Sequence, residues 1–168
     1  MNRVLVDLSG EEAADAIASL PDLPLSPHPN YVTPSGLAQL RTRLADAEQR
    51  RAMLEAAGPV RTEEAARTAR ECRWLQARIT SAIVLAGDRT SGDRVAFGAS
   101  VEVVDQNAHR HRYRIVGEDQ ADPEHGLVSW VSPLARALEG ARAGDTVVWQ
   151  RPAGNVEVEV TSIEYPQD

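Results

Sequence analysis

Two helical repeats on either side of a Gly58-Pro59 break constrain the fold of this chain more than any other feature. Before the break, positions spaced three and four residues apart form one stripe at Leu37, Leu40, Leu44, Ala47, Arg51 and Leu54. After it, the same spacing returns at Ala65, Thr68, Cys72, Leu75, Ile79, Ala82 and Ala86. Such a stripe lies along one face of a helix. Because two helices with a short connection pack antiparallel, the sequence predicts a two-helix coiled coil over residues 33–88, with Thr33 as N-cap before Pro34.

The C-terminal part of the chain changes to a period of two. Alternating apolar and polar residues, rich in β-branched and aromatic side chains, predict at least five strands. They lie at residues 95–104, 111–117, 126–132, 145–152 and 155–165. Residues 133–143 predict one short helix ended by Gly144, and Asn107, Ala108 and residues 152–155 supply hairpin turns. The predicted fold class is therefore α+β, an N-terminal antiparallel two-helix coiled coil followed by an antiparallel β-sheet domain with one short helix over residues 94–168.

The N-terminal region differs from both parts. Prolines at positions 21, 24, 27 and 29 disfavour helices and strand ladders and favour an extended segment. We therefore expect residues 1–32 to form an acidic, proline-rich extension that is partly ordered at best.

Charge is distributed unevenly along the chain. The net charge of -7 argues against non-specific nucleic-acid binding by the whole molecule. Residues 34–86, however, hold nine arginines against six acids, whereas residues 95–168 hold six arginines against twelve acids, and the chain has no lysine. A basic coil beside an acidic domain predicts that the two parts face different partners.

The sequence also indicates the compartment. Cys72 is the only cysteine, which excludes an internal disulfide and agrees with a reducing environment. We interpret it as a small buried hydrophobe in the second helix. The longest apolar run, residues 82–86, is too short to span a bilayer, and the N-terminus lacks the pattern of a signal peptide. We expect a cytoplasmic protein that does not enter the membrane.

Motifs for catalysis are absent from the sequence. His109 and His111 would share one face of a strand, as two metal ligands do, but no third ligand is evident nearby, and a solvated hairpin is the favoured interpretation. Neither a nucleophile elbow, a phosphate-binding glycine loop nor a paired-cysteine zinc motif occurs. The sequence therefore predicts a protein that is not an enzyme and has no catalytic residue, cofactor or metal site of its own.

The most specific element of the C-terminal half is SWVSPLARAL at residues 129–138, followed by Gly144-Asp145. Together with RVAFGASVEVV at residues 94–104 and YRIVGEDQAD at residues 113–122, it resembles the C-terminal domain of Gre transcript-cleavage factors of bacterial RNA polymerase. The resemblance covers nearly all of residues 94–166, and a preceding helical hairpin is also the family's layout.

The resemblance implies an FKBP-like C-terminal domain that docks on the core polymerase at the rim of its secondary channel. The implied docking residues are Ser132, Pro133, Leu134, Ala135 and Arg136. The coil would reach inward, and its arginines would meet acidic polymerase walls or contact RNA indirectly within the elongation complex; a merely solvated outer face is the alternative. These arginines are Arg43, Arg50, Arg67 and Arg70. In the family, two acids at the coil tip help hold a Mg²⁺ ion that activates water at the polymerase active site.

The coil tip departs from the family pattern. The family sequence is approximately Gly-Asp-x-x-Glu-Asn, whereas this chain has GPVRTEE at residues 58–64. Pro59 replaces the aspartate, the glutamate position falls on Thr62 or, with a shifted loop, on Glu63, and Arg61 adds a positive charge. Relative to the family, both arms are shorter by about eight residues, or ~12 Å. Thr62 as N-cap, with Glu63 and Glu64 in the first turn, also fits an ordinary helix start.

We therefore expect a monomeric Gre-like protein that binds RNA polymerase and modulates or inhibits transcription without stimulating transcript cleavage. Two alternatives stay open. In the first, Glu63 and Glu64 serve as displaced metal ligands of a functional cleavage factor. In the second, the chain is an interaction module with a partner other than polymerase.

Overall fold

The computed structural model of the protein describes residues 21–58, 62–86 and 92–167. The helices are α1 (Pro34–Ala56), α2 (Thr62–Thr80) and α3 (Pro133–Leu138), and the strands are β1 (Tyr31–Val32), β2 (Ile83–Val84), β3 (Ser100–Asp105), β4 (Arg110–Val116), β5 (Leu127–Ser129), β6 (Thr146–Trp149) and β7 (Val156–Glu164). The chain divides into two compact units. The coil unit holds residues up to Pro27 and Leu40–Ser81, and the sheet unit holds His28–Gln39 and Ala82–Asp168. The predicted α+β fold class is confirmed.

In the coil unit, α1 and α2 pack antiparallel along the predicted stripes. The buried members are Leu40, Ala47 and Leu54 of α1 and Thr68, Cys72 and Leu75 of α2. Two contacts give the direction, since Arg43 lies over the Trp74 ring and Arg50 pairs with Glu71 at 3.6 Å. Burial raises the pKa of the Cys72 thiol, as expected for a small buried hydrophobe. No helix among the described residues is long and apolar enough to cross a membrane.

The ends of the long helices agree with the sequence in two places and differ in a third. The Thr33 hydroxyl accepts a hydrogen bond from the Gly36 N–H at 3.0 Å, which confirms the predicted N-cap of α1. Gly58, just after α1, has a left-handed φ of 86°. The expectation that the second helix reaches Ala86 is wrong, because α2 ends at Thr80. Ile83–Val84 instead forms β2, paired in parallel with Tyr31–Val32.

The main sheet has five strands in the order β5-β4-β3-β7-β6. The pairs β3–β4, β3–β7 and β6–β7 are antiparallel, as predicted. The prediction of a wholly antiparallel sheet is wrong at one edge, where β4 and β5 run parallel. The connection between them forms two 3-10 turns at Glu118–Gln120 and Pro123–His125, and these return the chain to the same end of the sheet before β5 begins.

The core of the sheet unit lies between α3 and one face of the sheet. Leu134, Ala135 and Leu138 of α3 pack in the same cluster as Val101 and Val160. The predicted helix over residues 133–143 is too long, since α3 ends at Leu138. The chain leaves the helix because its next residues pair with another segment. The Gly140 N–H donates to the Val95 carbonyl, and the Val95 N–H donates to the Ala141 carbonyl, both at 2.8 Å.

The described part of the N-terminal region, residues 21–32, is divided between the two compact units. Residues 28–32 belong to the sheet unit, where Asn30 and Val32 are buried and the Tyr31 ring lies 4.9 Å from that of Trp130. The predicted division after residue 32 therefore does not match the compact units. Apolar burial and pairing of β1 with β2 hold this short piece in place despite its prolines. Residues 21–27 belong to the coil unit, and residues 1–20 lie outside the described part.

Candidate functional site

The four arginines predicted to form the basic face of the coil all have partners within the coil unit. Arg43 lies over the Trp74 ring at 5.8 Å, and Arg70 donates to the Pro21 carbonyl at 3.5 Å. Arg50 pairs with Glu71, and Arg67 pairs with Glu63 one turn away. Exposed pairs of this kind contribute about 0–1 kcal/mol, so the guanidinium groups can exchange these partners for others. A role of the four arginines in binding stays a prediction.

The coil tip is described only in part. Pro59, Val60 and Arg61 lie outside the described residues, as does the side chain of Thr62. Glu63 and Glu64 are exposed in the first turn of α2, where the helix dipole favours acids. Among the described residues, no group of three or more histidine, cysteine, aspartate or glutamate side chains could hold a metal ion. Use of the two glutamates as displaced metal ligands is therefore still a prediction.

The structure divides the predicted docking residues into buried and exposed members. Ser132 caps α3 by accepting the Ala135 N–H at 3.2 Å, and Pro133 occupies the first turn. Leu134 and Ala135 are each only 3% exposed and belong to the core, so their side chains offer little surface to a partner, and docking through this segment stays a prediction. Pro133 and Arg136 are exposed. The Arg136 guanidinium has no ion-pair partner within the described part of the chain, which leaves its charge available.

The hairpin between β3 and β4 places Asp105 close to His109 and His111. Asp105 is thus a third polar group near the two histidines, which the sequence pattern did not indicate. Asp105 Oδ2 lies 3.4 Å from His109 Nδ1 and 3.6 Å from His111 Nε2. Its Oδ1 accepts the N–H groups of His109 at 2.9 Å and Asn107 at 2.8 Å. These hydrogen bonds, the one from His109 first, lower the pKa of Asp105. The carboxylate thus closes the hairpin turn and lies beside a cavity of about 420 Å³ that Tyr113 also lines.

A proline-rich segment lies along the outer face of α2. Asp22 Oδ1 accepts a hydrogen bond from Arg73 Nε at 2.7 Å, and the Pro24 carbonyl accepts one from the Trp74 indole N–H at 3.2 Å. The Arg70 contact to Pro21 extends this face, because Arg73 and Trp74 follow Arg70 by three and four residues, one turn along the helix. We call these three residues the α2 arginine–tryptophan face.

Sequence reasoning missed Arg73 and Trp74 as members of a surface. The charge distribution could have indicated this contact, because residues 1–29 hold five acids against one arginine whereas the coil is basic. Each contact is weak by itself, about 0–1 kcal/mol for an exposed ion pair and about 0.5–1.5 kcal/mol for a hydrogen bond. The segment is therefore held by a few polar contacts of modest strength.

Comparison with known proteins gives a family match in the C-terminal half of the chain. Residues 89–165 match the family described as "Transcription elongation factor, GreA/GreB, C-term". The chain is 40% identical over 97 residues to transcription elongation factor GreB of Neisseria meningitidis serogroup B, which covers 57% of this chain and 60% of that protein. It is 44% identical over 91 residues to transcription elongation factor GreA of Anaeromyxobacter sp., covering 54% and 55%. The match thus spans 60% or less of the length of these two relatives.

Among solved structures, that of GreA factor homolog 1 (Gfh1) of Thermus thermophilus is similar at 22% identity, covering 82% of this chain and 99% of that chain with a TM-score of 0.40.

The five-stranded sheet and the capped SPLARAL helix both lie within the residues that match this family of transcription elongation factors. Residues 89–165 are therefore a GreA/GreB C-terminal domain. The resemblance drawn from the sequence is confirmed.

Proposed function

We propose that this protein binds bacterial RNA polymerase at the secondary channel and modulates transcription by occupying it, without stimulating transcript cleavage. Two observations carry the proposal: a GreA/GreB C-terminal domain presents Pro133 and Arg136 at its surface, and the sequence of the coil tip lacks the family's aspartate. The domain supplies the anchor, and the coil enters the channel.

The coil supports occupancy because of its length and charge. A helix of 23 residues, such as α1, is about 35 Å long at 1.5 Å per residue. Nine arginines against six acids in residues 34–86 give this region a net positive charge suited to acidic walls. A coil held in the channel would hinder substrate entry or exclude cleavage factors that use the same route. On this mechanism the protein acts as a monomer and has no active site of its own.

The tip chemistry explains the proposed loss of cleavage. A hard cation such as Mg²⁺ is recruited by carboxylate oxygens, and Pro59 offers none. Arg61 brings a positive charge to the same loop, and repulsion between charges a few Å apart reaches about 1 kcal/mol even in water. Glu63 is paired with Arg67, one helical turn further along α2. The water-activating metal of a two-metal reaction therefore gains no ligand from residue 59.

The test is RNA cleavage in a backtracked elongation complex, at mildly alkaline pH with ample Mg²⁺ and an active cleavage factor as positive control. We expect no shortened transcripts with this protein alone, and slower cleavage by the control factor when both are present. Shortened transcripts that disappear in the Glu63→Gln/Glu64→Gln variant would establish the displaced-ligand alternative. Failure to co-purify with core polymerase would overturn the proposal and favour a different protein partner.

A further inference from the structure

We propose that residues 21–24 form a displaceable strap, an internal ligand that covers the α2 arginine–tryptophan face and competes with acidic partners for it. The strap makes three polar contacts with Arg70, Arg73 and Trp74, through two backbone carbonyls and one carboxylate. Each of these three side chains thus donates a hydrogen bond to the chain's own N-terminal segment.

The chemistry of the strap defines the partner that it excludes. Carbonyl and carboxylate oxygens on an extended backbone accept hydrogen bonds from guanidinium and indole donors. The exposed Arg43 also lies near the Trp74 ring, at 5.8 Å, and adds a third arginine beside this face. A surface of this composition fits an acidic, extended protein segment. The N-terminal region has the same character, with five acids against one arginine in residues 1–29.

The strap can leave the helix because no core burial anchors it. Asp22 and Pro24 are exposed, and Leu23, the one leucine of the strap, is only partly buried and is not part of the core. Polar contacts between exposed groups weaken as salt screens them. Two states are therefore in equilibrium: in one the strap covers the α2 arginine–tryptophan face, and in the other that face is open. An acidic ligand that binds the open face shifts the equilibrium toward the open state.

The consequence for transcription rests on the proposed function. If the coil meets acidic walls of the polymerase channel, the strap must leave α2 before Arg70 and Arg73 can bind there. The N-terminal segment then sets how readily the coil is inserted. In the free protein the strap can be measured independently of polymerase.

The test uses the full chain with Asp22→Asn, and Asp46→Asn as the matched control, because both remove one exposed negative charge from the coil unit. The first measurement is the exchange rate of the Trp74 indole N–H by NMR, assigned with Trp74→Phe. We expect Asp22→Asn to speed this exchange about two- to fivefold at low salt, as loss of an exposed ion pair would, and Asp46→Asn to leave it unchanged. The second measurement is the affinity for poly-L-glutamate, which we expect to rise more in Asp22→Asn than in Asp46→Asn.

The outcomes separate the strap from the proposed function. Unchanged Trp74 exchange in Asp22→Asn would overturn the strap, and equal poly-L-glutamate affinities in the two variants would overturn its competition with acidic ligands. Tighter binding of core polymerase by Asp22→Asn than by Asp46→Asn would show that the strap also limits polymerase binding. If no form of the protein binds polymerase while the two measurements above behave as expected, the proposed function fails and the strap stands.

Discussion

Thr33 and Gln120 are 87 residues apart in the sequence, and the Thr33 hydroxyl donates a hydrogen bond of 2.8 Å to Gln120 Oε1. The same hydroxyl accepts the Gly36 N–H, while Gln120 Nε2 donates to the Ser35 hydroxyl at 3.1 Å. The start of α1 is thereby fastened to the turn that follows β4. A Cβ at Gly36 would lie 2.7 Å from Gln120 Oε1, so a larger residue there would force the Gln120 side chain to shift.

Thr33→Ala should destabilise the sheet unit. The substitution removes the N-cap of α1 and the donor to Gln120, at a residue that is only 1% exposed. We expect a loss of about 1–3 kcal/mol in the free energy of unfolding, measured by urea unfolding with tryptophan fluorescence. Thr33→Ser keeps the oxygen and should lose less than half as much. Equal losses in the two variants would show that the methyl group, and not the hydroxyl, stabilises this site.

Arg78 should contribute strongly to the stability of the coil unit. It is 3% exposed, and its guanidinium carbon lies 6.0 Å from the centre of the Trp74 ring. Arg78→Ala removes both the packed stem and the charge, and we expect a loss of about 2–5 kcal/mol, as for other large-to-small changes at buried positions. Arg41→Ala, on the exposed face of α1, should stay within about 0.5 kcal/mol of the parent in the same thermal or urea unfolding experiment. A similar loss in both would contradict a packing role.

Asp105 should make stability depend on pH in the acid range. Hydrogen bonds from backbone N–H groups lower its pKa in the folded protein below the ordinary value of 3.8, while the unfolded chain keeps that value. Its contribution is therefore present above about pH 4 and is lost as pH falls through the lower folded value. The stability difference between the parent and Asp105→Asn should be larger at about pH 7 than at about pH 3. Urea midpoints at both pH values measure it, and a constant difference would refute the expectation.

Introduction of a negative charge at the exposed start of α3 should weaken polymerase binding if the proposed anchor is correct. Arg136→Glu and Pro133→Glu change the surface without disturbing the core, since Leu134 and Ala135 carry the packing. We expect about a tenfold or greater loss of affinity for core polymerase, the effect of about 1.4 kcal/mol. Arg142→Glu is the control, because it reverses an exposed arginine of the same unit that pairs with Asp93 at 3.3 Å. Binding that survives both test substitutions would place the anchor elsewhere.

Local patterns predicted most of the elements. The stripe through Leu40, Ala47 and Leu54 is buried because a helix repeats its face at that spacing, whatever it packs against. The alternation in residues 155–165 predicts β7 for a similar reason, since successive side chains of a strand point to opposite faces. The N-caps Thr33 and Ser132 were predictable because a cap bonds within its own first turn.

The candidate surfaces were less predictable. Motif resemblance gave residues 132–136 as one set, but only the fold shows that Leu134 and Ala135 face the core and Pro133 and Arg136 face solvent. His109 and His111 had no visible third group because Asp105 reaches them across a hairpin turn. The α2 arginine–tryptophan face is defined by contacts with a segment about 50 residues away in the sequence, and no local pattern indicates those contacts.

The sequence by itself determined the helical hairpin, the five strands of the main sheet and the resemblance to the GreA/GreB C-terminal domain, because periodicity, capping and motif spacing are properties of neighbouring residues. Tertiary structure alone decided where α2 and α3 end, that β5 runs parallel to β4, and which arginines contact the N-terminal segment. The physical reason is that these features depend on competition between distant segments for the same hydrogen-bonding groups. Ile83 leaves the helical pattern because its N–H bonds to the carbonyl of Asn30, and no pattern local to either residue specifies that pairing.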